Sequence, residues 1–269
     1  THGRTSMDPH SIDPARHYPI QKSDDYIRGR CYESAQKIYT PAVHPREPFA
    51  TSRGMRVSPF YEREVTLGGY FMEVAGWERA HGYAANEETL LAKYRDQVPV
   101  REAEWDSRHF WEVSNAEQLA MSEGVGMINL SHFAIFDVEG ADAEGLMEYL
   151  SVAKVGADTA IGKGVYTHFL DHAGGIRSDL TIIRLAEDCF RVVCGGDTGH
   201  RDYIWMRDMS DRKGFSNVTF HDRSEELATL GLWGPEARVT LAKLIDDPES
   251  ISTKSCLLYT SDAADEVDS

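Results

Sequence analysis

Residues Lys163 to Gly196 read KGVYTHFLDHAGGIRSDLTIIRLAEDCFRVVCGG. Their runs of β-branched and aromatic residues, separated by turn formers, predict three consecutive strands. The first covers Val165 to Leu170. Asp171-His172-Ala173-Gly174-Gly175 then supplies a turn, because glycine takes positive φ without steric cost. The second strand is expected over Asp179 to Leu185, and Ala186-Glu187-Asp188 separates it from the third, Phe190 to Val193. Two hairpins in succession make an antiparallel sheet. Asp179 stands just after the glycine turn, at the mouth of an otherwise apolar strand, where a carboxylate can face a ligand.

Outward from that stretch, the pattern alternates between strands and helices. Ser23-Asp24-Asp25 caps a helix whose three-and-four spacing gathers Tyr26, Ile27, Cys31, Tyr32 and Ala35 on one face. Tyr39-Thr40-Pro41, Pro45 and Pro48 mark an extended connector. Gly68 to Val74 reads as a strand, followed by Gly76-Trp77-Glu78-Arg79, whose charges form either a surface ion pair or the frame of a pocket. Helices follow over Glu87 to Tyr94 and Val113 to Glu123, with Trp105, His109, Phe110 and Trp111 packed between them. Gly126 to Val138 reads as a buried strand pair interrupted by Asn129-Leu130-Ser131-His132. His132 has no second ligand at metal spacing, so it reads as a structural or hydrogen-bonded histidine. Asp142 favours the positive N-terminus of a helix bearing Leu146, Met147 and Leu150. Another helix runs from Thr198 to Met209 with Tyr203, Ile204 and Met206 inward. Strands at Val218 to Phe220 and Leu227 to Leu232 precede a helix opened by Gly234-Pro235-Glu236 and carrying Leu241, Leu244 and Ile245. This order describes an α+β fold with mostly antiparallel sheets and packed helices.

A chain of 269 residues with 41% hydrophobic residues has enough apolar material for a core. Its net charge of −16 argues against nucleic acid or an anionic membrane as partner, since both demand basic patches. No apolar run reaches the length of a membrane span, and the beginning lacks a basic-then-apolar signal pattern. Four scattered cysteines without CxxC spacing read as reduced thiols, in a cytoplasm or, in a eukaryote, a mitochondrial matrix. Both ends are expected to be cuts in a longer chain. Residues 255–269 read as a non-native tail similar to translated adapter DNA, with a natural disordered acidic tail as the alternative.

Five ordered motifs carry a resemblance: Val125-Gly126-Met127-Ile128-Asn129-Leu130-Ser131-His132-Phe133; Val138 to Ala143; Gly164-Val165-Tyr166-Thr167; Gly174-Gly175-Ile176-Arg177-Ser178-Asp179-Leu180-Thr181; and Gly234-Pro235-Glu236-Ala237-Arg238. Together they resemble the tetrahydrofolate-binding domain of the glycine-cleavage T-protein, an aminomethyltransferase. Ser178, where the T-protein usually has a second Asp, is more similar to the fused flavoenzymes of the dimethylglycine and sarcosine dehydrogenase family. Ser11-Ile12-Asp13-Pro14, Arg53 to Pro59 and Gly76 to Arg79 resemble the segment joining the flavin and folate halves of those enzymes. The resemblance covers about residues 8–250. It implies a connector over residues 1–66 and a truncated folate-binding domain over residues 67–254.

In that family, the flavin half oxidises an N-methyl amine to an iminium. Tetrahydrofolate then captures the one-carbon unit as 5,10-methylenetetrahydrofolate. Asp179 matches the family's functional carboxylate, able to hold and accept a proton during attack by an amine. Tyr166 matches a folate-contacting position and offers a flat ring with a polar tip. Asn129 occupies the place of an Asp in the family's Asp-x-Ser segment and keeps hydrogen-bonding capacity without the charge. Asp171 stands where Asn is usual. The resemblance therefore implies folate as cofactor here, FAD held upstream because no GxGxxG fingerprint occurs, a small N-methyl amine as substrate, and inactivity of this piece alone. A stand-alone folate-dependent transferase and a non-catalytic folate-binding module are the alternatives.

Overall fold

The computed structural model describes residues 14–38, 48–100 and 111–251. In chain order the elements are α1 (Asp24–Ile38), α2 (Tyr61–Thr66), β1 (Gly69–Val74), β2 (Trp77–Tyr83), α3 (Ala84–Tyr94), α4 (Trp111–Glu123), β3 (Gly126–Asn129) and β4 (Ala134–Glu139). They continue with α5 (Ala143–Leu150), β5 (Gly164–Leu170), β6 (Ile176–Ala186), β7 (Cys189–Cys194), α6 (Gly199–Lys213), β8 (Thr219–Asp222), β9 (Leu230–Trp233) and α7 (Ala237–Leu241). Among the described residues the strands form a five-stranded sheet of order β5-β6-β7-β4-β8 and two two-stranded sheets, β1-β2 and β3-β9. Every pairing in the large sheet is antiparallel. The α+β expectation holds.

The chain divides into two compact units. One comprises residues up to His81 together with Asn129–Thr229; the other comprises Gly82–Ile128 and residues from Leu230 onward. The first unit owes its core to strand alternation. On β4, Ala134, Phe136 and Val138 point inward; on β6, Leu180 and Ile182; on β7, Phe190 and Val192. Leu146, Met147 and Leu150 of α5 and Met206 and Met209 of α6 close over them. Each fully buried phenylalanine in this cluster contributes about 2–3 kcal/mol by removal from water. Gly140 lets α5 follow β4 closely: its φ is +129°, and a Cβ there would run into the Asn217 carbonyl. In the second unit, α3 and α4 pack through Leu91, Tyr94 and Ala116, with the Asn86 amide donating to Glu117 at 2.7 Å.

Several sequence expectations shift. The second strand of the opening stretch begins at Ile176, three residues before Asp179, because the turn needs Asp171 to Gly175 alone. The Asp171 carboxylate accepts from the Ala173 and Gly175 N–H groups, both at 2.8 Å, and Leu170 pairs with Ile176. Asp179 therefore sits within β6. The expected β3–β4 pair does not form. β3 joins β9 instead, and β4 lies inside the large sheet. The turn between them is closed by the Ser131 N–H donating to Asn129 Oδ1 at 3.1 Å. Most of the apolar face expected on α1 is exposed, with Ile27 at 44% and Tyr32 at 68%, and only Tyr26 of the aromatic and aliphatic residues on it is half-buried. α1 instead buries Arg30 and Glu33. Helix α6 extends to Lys213 and ends at left-handed Gly214, burying Met206 and Met209 while Tyr203 and Ile204 stay half-buried. Helix α7 is only five residues long, and Leu241 and Leu244 are exposed. The Pro41 and Pro45 connector, Trp105, His109, Phe110 and the tail lie outside the described residues.

Glu78 also departs from a surface pairing with Arg79. Its side chain is 1% exposed and accepts from Arg53 Nε at 2.9 Å, Arg53 Nη2 at 2.5 Å and the Gly54 N–H at 2.7 Å. Glu33 accepts from the Ala50 and Thr51 N–H groups and the Thr51 hydroxyl, while Glu73 receives Arg30 at 2.7 Å. Buried carboxylates thus hold the segment from Ala50 to Gly54 in place where few apolar side chains are available.

Candidate functional site

The β5–β6 register sets His168 opposite Asp179 and Tyr166 opposite Thr181. Because successive side chains alternate between faces, Tyr166 and His168 share the outer face while Thr167 and Phe169 are buried. Asp179 is exposed on the same face. The Tyr166 hydroxyl donates to Asp179 Oδ2 at 3.3 Å, and the Tyr166 and His168 rings meet edge-on, 5.3 Å between centroids. Tyr166 is 63% exposed. Loss of hydration and the neighbouring Asp179 charge raise its phenol pKa, so it remains a hydrogen-bond donor at neutral pH.

Behind this face, Ser178 points the other way. Its hydroxyl donates to Asp202 Oδ2 at 2.7 Å, and Asp202 also receives Thr198 Oγ1 and Arg201 Nε, each at 3.2 Å. Asp202 is 2% exposed. Burial raises its pKa, and the hydrogen bonds from Ser178, Arg201 and Thr198 act against that rise. Arg201 donates to the Arg177 carbonyl at 2.6 Å. The first turn of α6 thereby grips β6 at the two residues just before Asp179 and fixes the strand that presents it.

Asn129 takes no part in this cluster. Its amide nitrogen donates to Ser58 Oγ at 2.8 Å and Glu64 Oε2 at 3.1 Å, so both amide hydrogens are engaged. Glu64 is 6% exposed, and an Asp at position 129 would set a second carboxylate against it with no hydrogen to donate. His132 is held neutral: burial first, then the Arg79 charge, lowers its pKa to about 4. Sequence reasoning overlooked His168 and Asp202. His168 was recoverable as the residue two places after Tyr166 on one strand, whereas Asp202 sits among the polar residues of α6 like any solvent-facing carboxylate.

Residues 60–265 match the GCVT N-terminal domain family, and residues 2–58 match the FAD dependent oxidoreductase central domain. The chain belongs to the GCVT N-terminal domain family. It is 30% identical to a 4-methylaminobutanoate oxidase (formaldehyde-forming) of Paenarthrobacter nicotinovorans over 94% of this chain and 29% of that protein. It is 28% identical to the mitochondrial sarcosine dehydrogenase of Mus musculus, over 91% of this chain and 29% of the relative. A mitochondrial pyruvate dehydrogenase phosphatase regulatory subunit, also of Mus musculus, is 27% identical over 90% of this chain and 27% of its own length. The chain thus spans less than a third of these relatives. The fold is similar to that of the aminomethyltransferase T of the Bartonella henselae glycine cleavage system, with a TM-score of 0.53 at 23% identity, covering 71% of this chain and 44% of that one. Among the described residues no helix is long and apolar enough to cross a membrane.

Proposed function

We propose that this chain is the folate-binding part of a longer FAD-dependent N-methyl amine dehydrogenase, connector over residues 1–66 and truncated folate domain over residues 67–254, and that Asp179 is its catalytic residue. The Tyr166–Asp179 pair on an exposed, rigidly backed face is the observation that carries the reading. A flat ring beside a carboxylate suits a pterin, which offers a planar surface and N–H donors. Tetrahydrofolate supplies the nucleophilic nitrogens that take up the one-carbon unit. Asp179 holds and accepts the proton released there, and Tyr166 orients the carboxylate through its hydroxyl. Asn129, the third residue that the resemblance assigns to folate, has its amide hydrogens taken by Ser58 and Glu64 and so orders those side chains away from the Tyr166–Asp179 pair. FAD belongs to residues outside this chain, and the piece alone does not turn over substrate.

The test is Asp179→Asn in the longer protein. Formation of methylenetetrahydrofolate from dimethylglycine or sarcosine is expected to fall by about 100-fold or more, while flavin reduction by the amine and the melting temperature stay unchanged because Asp179 is exposed. Unaltered folate product would remove Asp179 from catalysis, and a flavin-free longer protein would end the dehydrogenase reading. A second reading, a binding or regulatory module without turnover, draws on the regulatory subunit among the relatives. It predicts folate binding with no methylene product in the unmutated protein.

A further inference from the structure

Arg56 and Trp77 line a cavity of about 260 Å³ together with Val57, Ser131, Glu225 and Leu227. The Arg56 side chain is 9% exposed, and its guanidinium lies between two rings, 4.2 Å from the Trp77 centroid and 4.6 Å from that of Tyr18. The backbone fixes it in place: Arg56 N–H donates to the Gly76 carbonyl at 3.0 Å, and Glu78 N–H donates to the Arg56 carbonyl at 2.9 Å. Aromatic stacking satisfies the two faces of the cation and leaves the edge to be matched by an anion. The Tyr18 hydroxyl meets part of that edge, and the rest is poorly matched. Nη1 reaches the Ala75 carbonyl at 3.5 Å, and Nε makes no hydrogen bond. The nearest negative charge is Glu225 Oε1, 3.4 Å from Nε, beyond the usual N–H···O range, on a side chain that is 74% exposed. A buried guanidinium in this condition favours any carboxylate that can approach its edge more closely.

We propose that this cavity is a seat for the carboxylate of an organic acid, anchored by Arg56, with Glu225 as the resident anion that the ligand displaces. A cavity of roughly 150 Å³ accommodates a benzene ring, so this one takes a carboxylate with a chain of several carbons. The acid can be a free dicarboxylate or the glutamyl end of a folate. Only the second source rests on the folate reading above.

The experiment is calorimetric titration of the full chain with glutarate and with N-(4-aminobenzoyl)-L-glutamate, in the unmutated protein and in Glu225→Gln. At least one probe is expected to bind saturably and more weakly as salt rises. Glu225→Gln is expected to tighten it by about 5-fold, the worth of removing one competing surface charge. Glutarate binding identifies a free-acid seat, and binding of the aryl amide alone identifies the glutamyl end; either supports the proposal. No saturable binding in either protein, or affinity that Glu225→Gln leaves unchanged or weakens, overturns it. Glu225 is exposed, so the variant folds, and Asp179→Asn leaves this binding intact whatever it does to catalysis.

Discussion

At Ser178, one hydroxyl decides which charges the interior tolerates. It donates to Asp202 Oδ2 at 2.7 Å beneath the exposed hairpin. A carboxylate in its place would face Asp202, already desolvated, with no proton between them at neutral pH. Ser178→Asp is therefore expected to cost about 3 kcal/mol at pH 7, read as a drop in the urea midpoint, with part of the loss recovered as pH falls and the pair takes up a proton. An unchanged midpoint at pH 7 would show that the two side chains do not meet. The same logic covers Asn129, whose amide hydrogens serve Ser58 and buried Glu64. At both positions a hydrogen-bond donor stands opposite a buried carboxylate, where a second carboxylate would be repelled.

Between elements, ion pairs do work that apolar packing does elsewhere. Helix α1 presents Arg30 and Glu33 to the chain around it, and the segment from Ala50 to Gly54 is held by Glu33 and Glu78. Glu78 is the more deeply placed of these two anchors, at 1% side-chain exposure. Arg53→Met would leave that carboxylate buried with only the Gly54 N–H to meet it. Because Arg53 is itself 32% exposed, the expected cost is about 2–3 kcal/mol, near the lower end for breaking a buried pair. Urea unfolding gives the magnitude. Amide exchange should accelerate first over residues 50–54, and uniform protection there would refute the anchoring role.

For the whole molecule, acid stability gathers opposing contributions. His132 has a folded pKa of about 4 against 6.5 in the unfolded chain, so between those values the unfolded state binds the proton and stability falls as pH drops. Glu33 continues the loss. Burial alone would raise its pKa, but hydrogen bonds from Lys37, Thr51 and the Ala50 and Thr51 N–H groups hold it at about 2, below the usual 4.5, and this stabilisation disappears as pH falls from 4.5 through 2. Asp202 works the other way, since its raised pKa lets the folded state take the proton first. Urea midpoints measured from pH 7 to pH 4 should therefore decline, and His132→Gln should flatten that decline. An equally steep decline in the variant would assign it to other groups.

The hairpins were legible in the residues from Lys163 to Gly196 because strand alternation and turn chemistry are local: each depends on neighbours a few positions away. The same holds for α5, where Leu146, Met147 and Leu150 recur on one helical face and are all buried. The Tyr166–Asp179 pair was legible through family resemblance, since its two members lie on different strands and meet only through the β5–β6 register. Tertiary structure alone decided that β3 pairs with β9 rather than β4, that α1 docks by charge rather than by its apolar residues, and that Glu78 turns from Arg79 to Arg53. It also decided that Arg56 is sealed between two rings. Each of these depends on which distant segment arrives beside a residue, and a buried charge or an unpaired strand edge is satisfied by whichever partner the fold brings near.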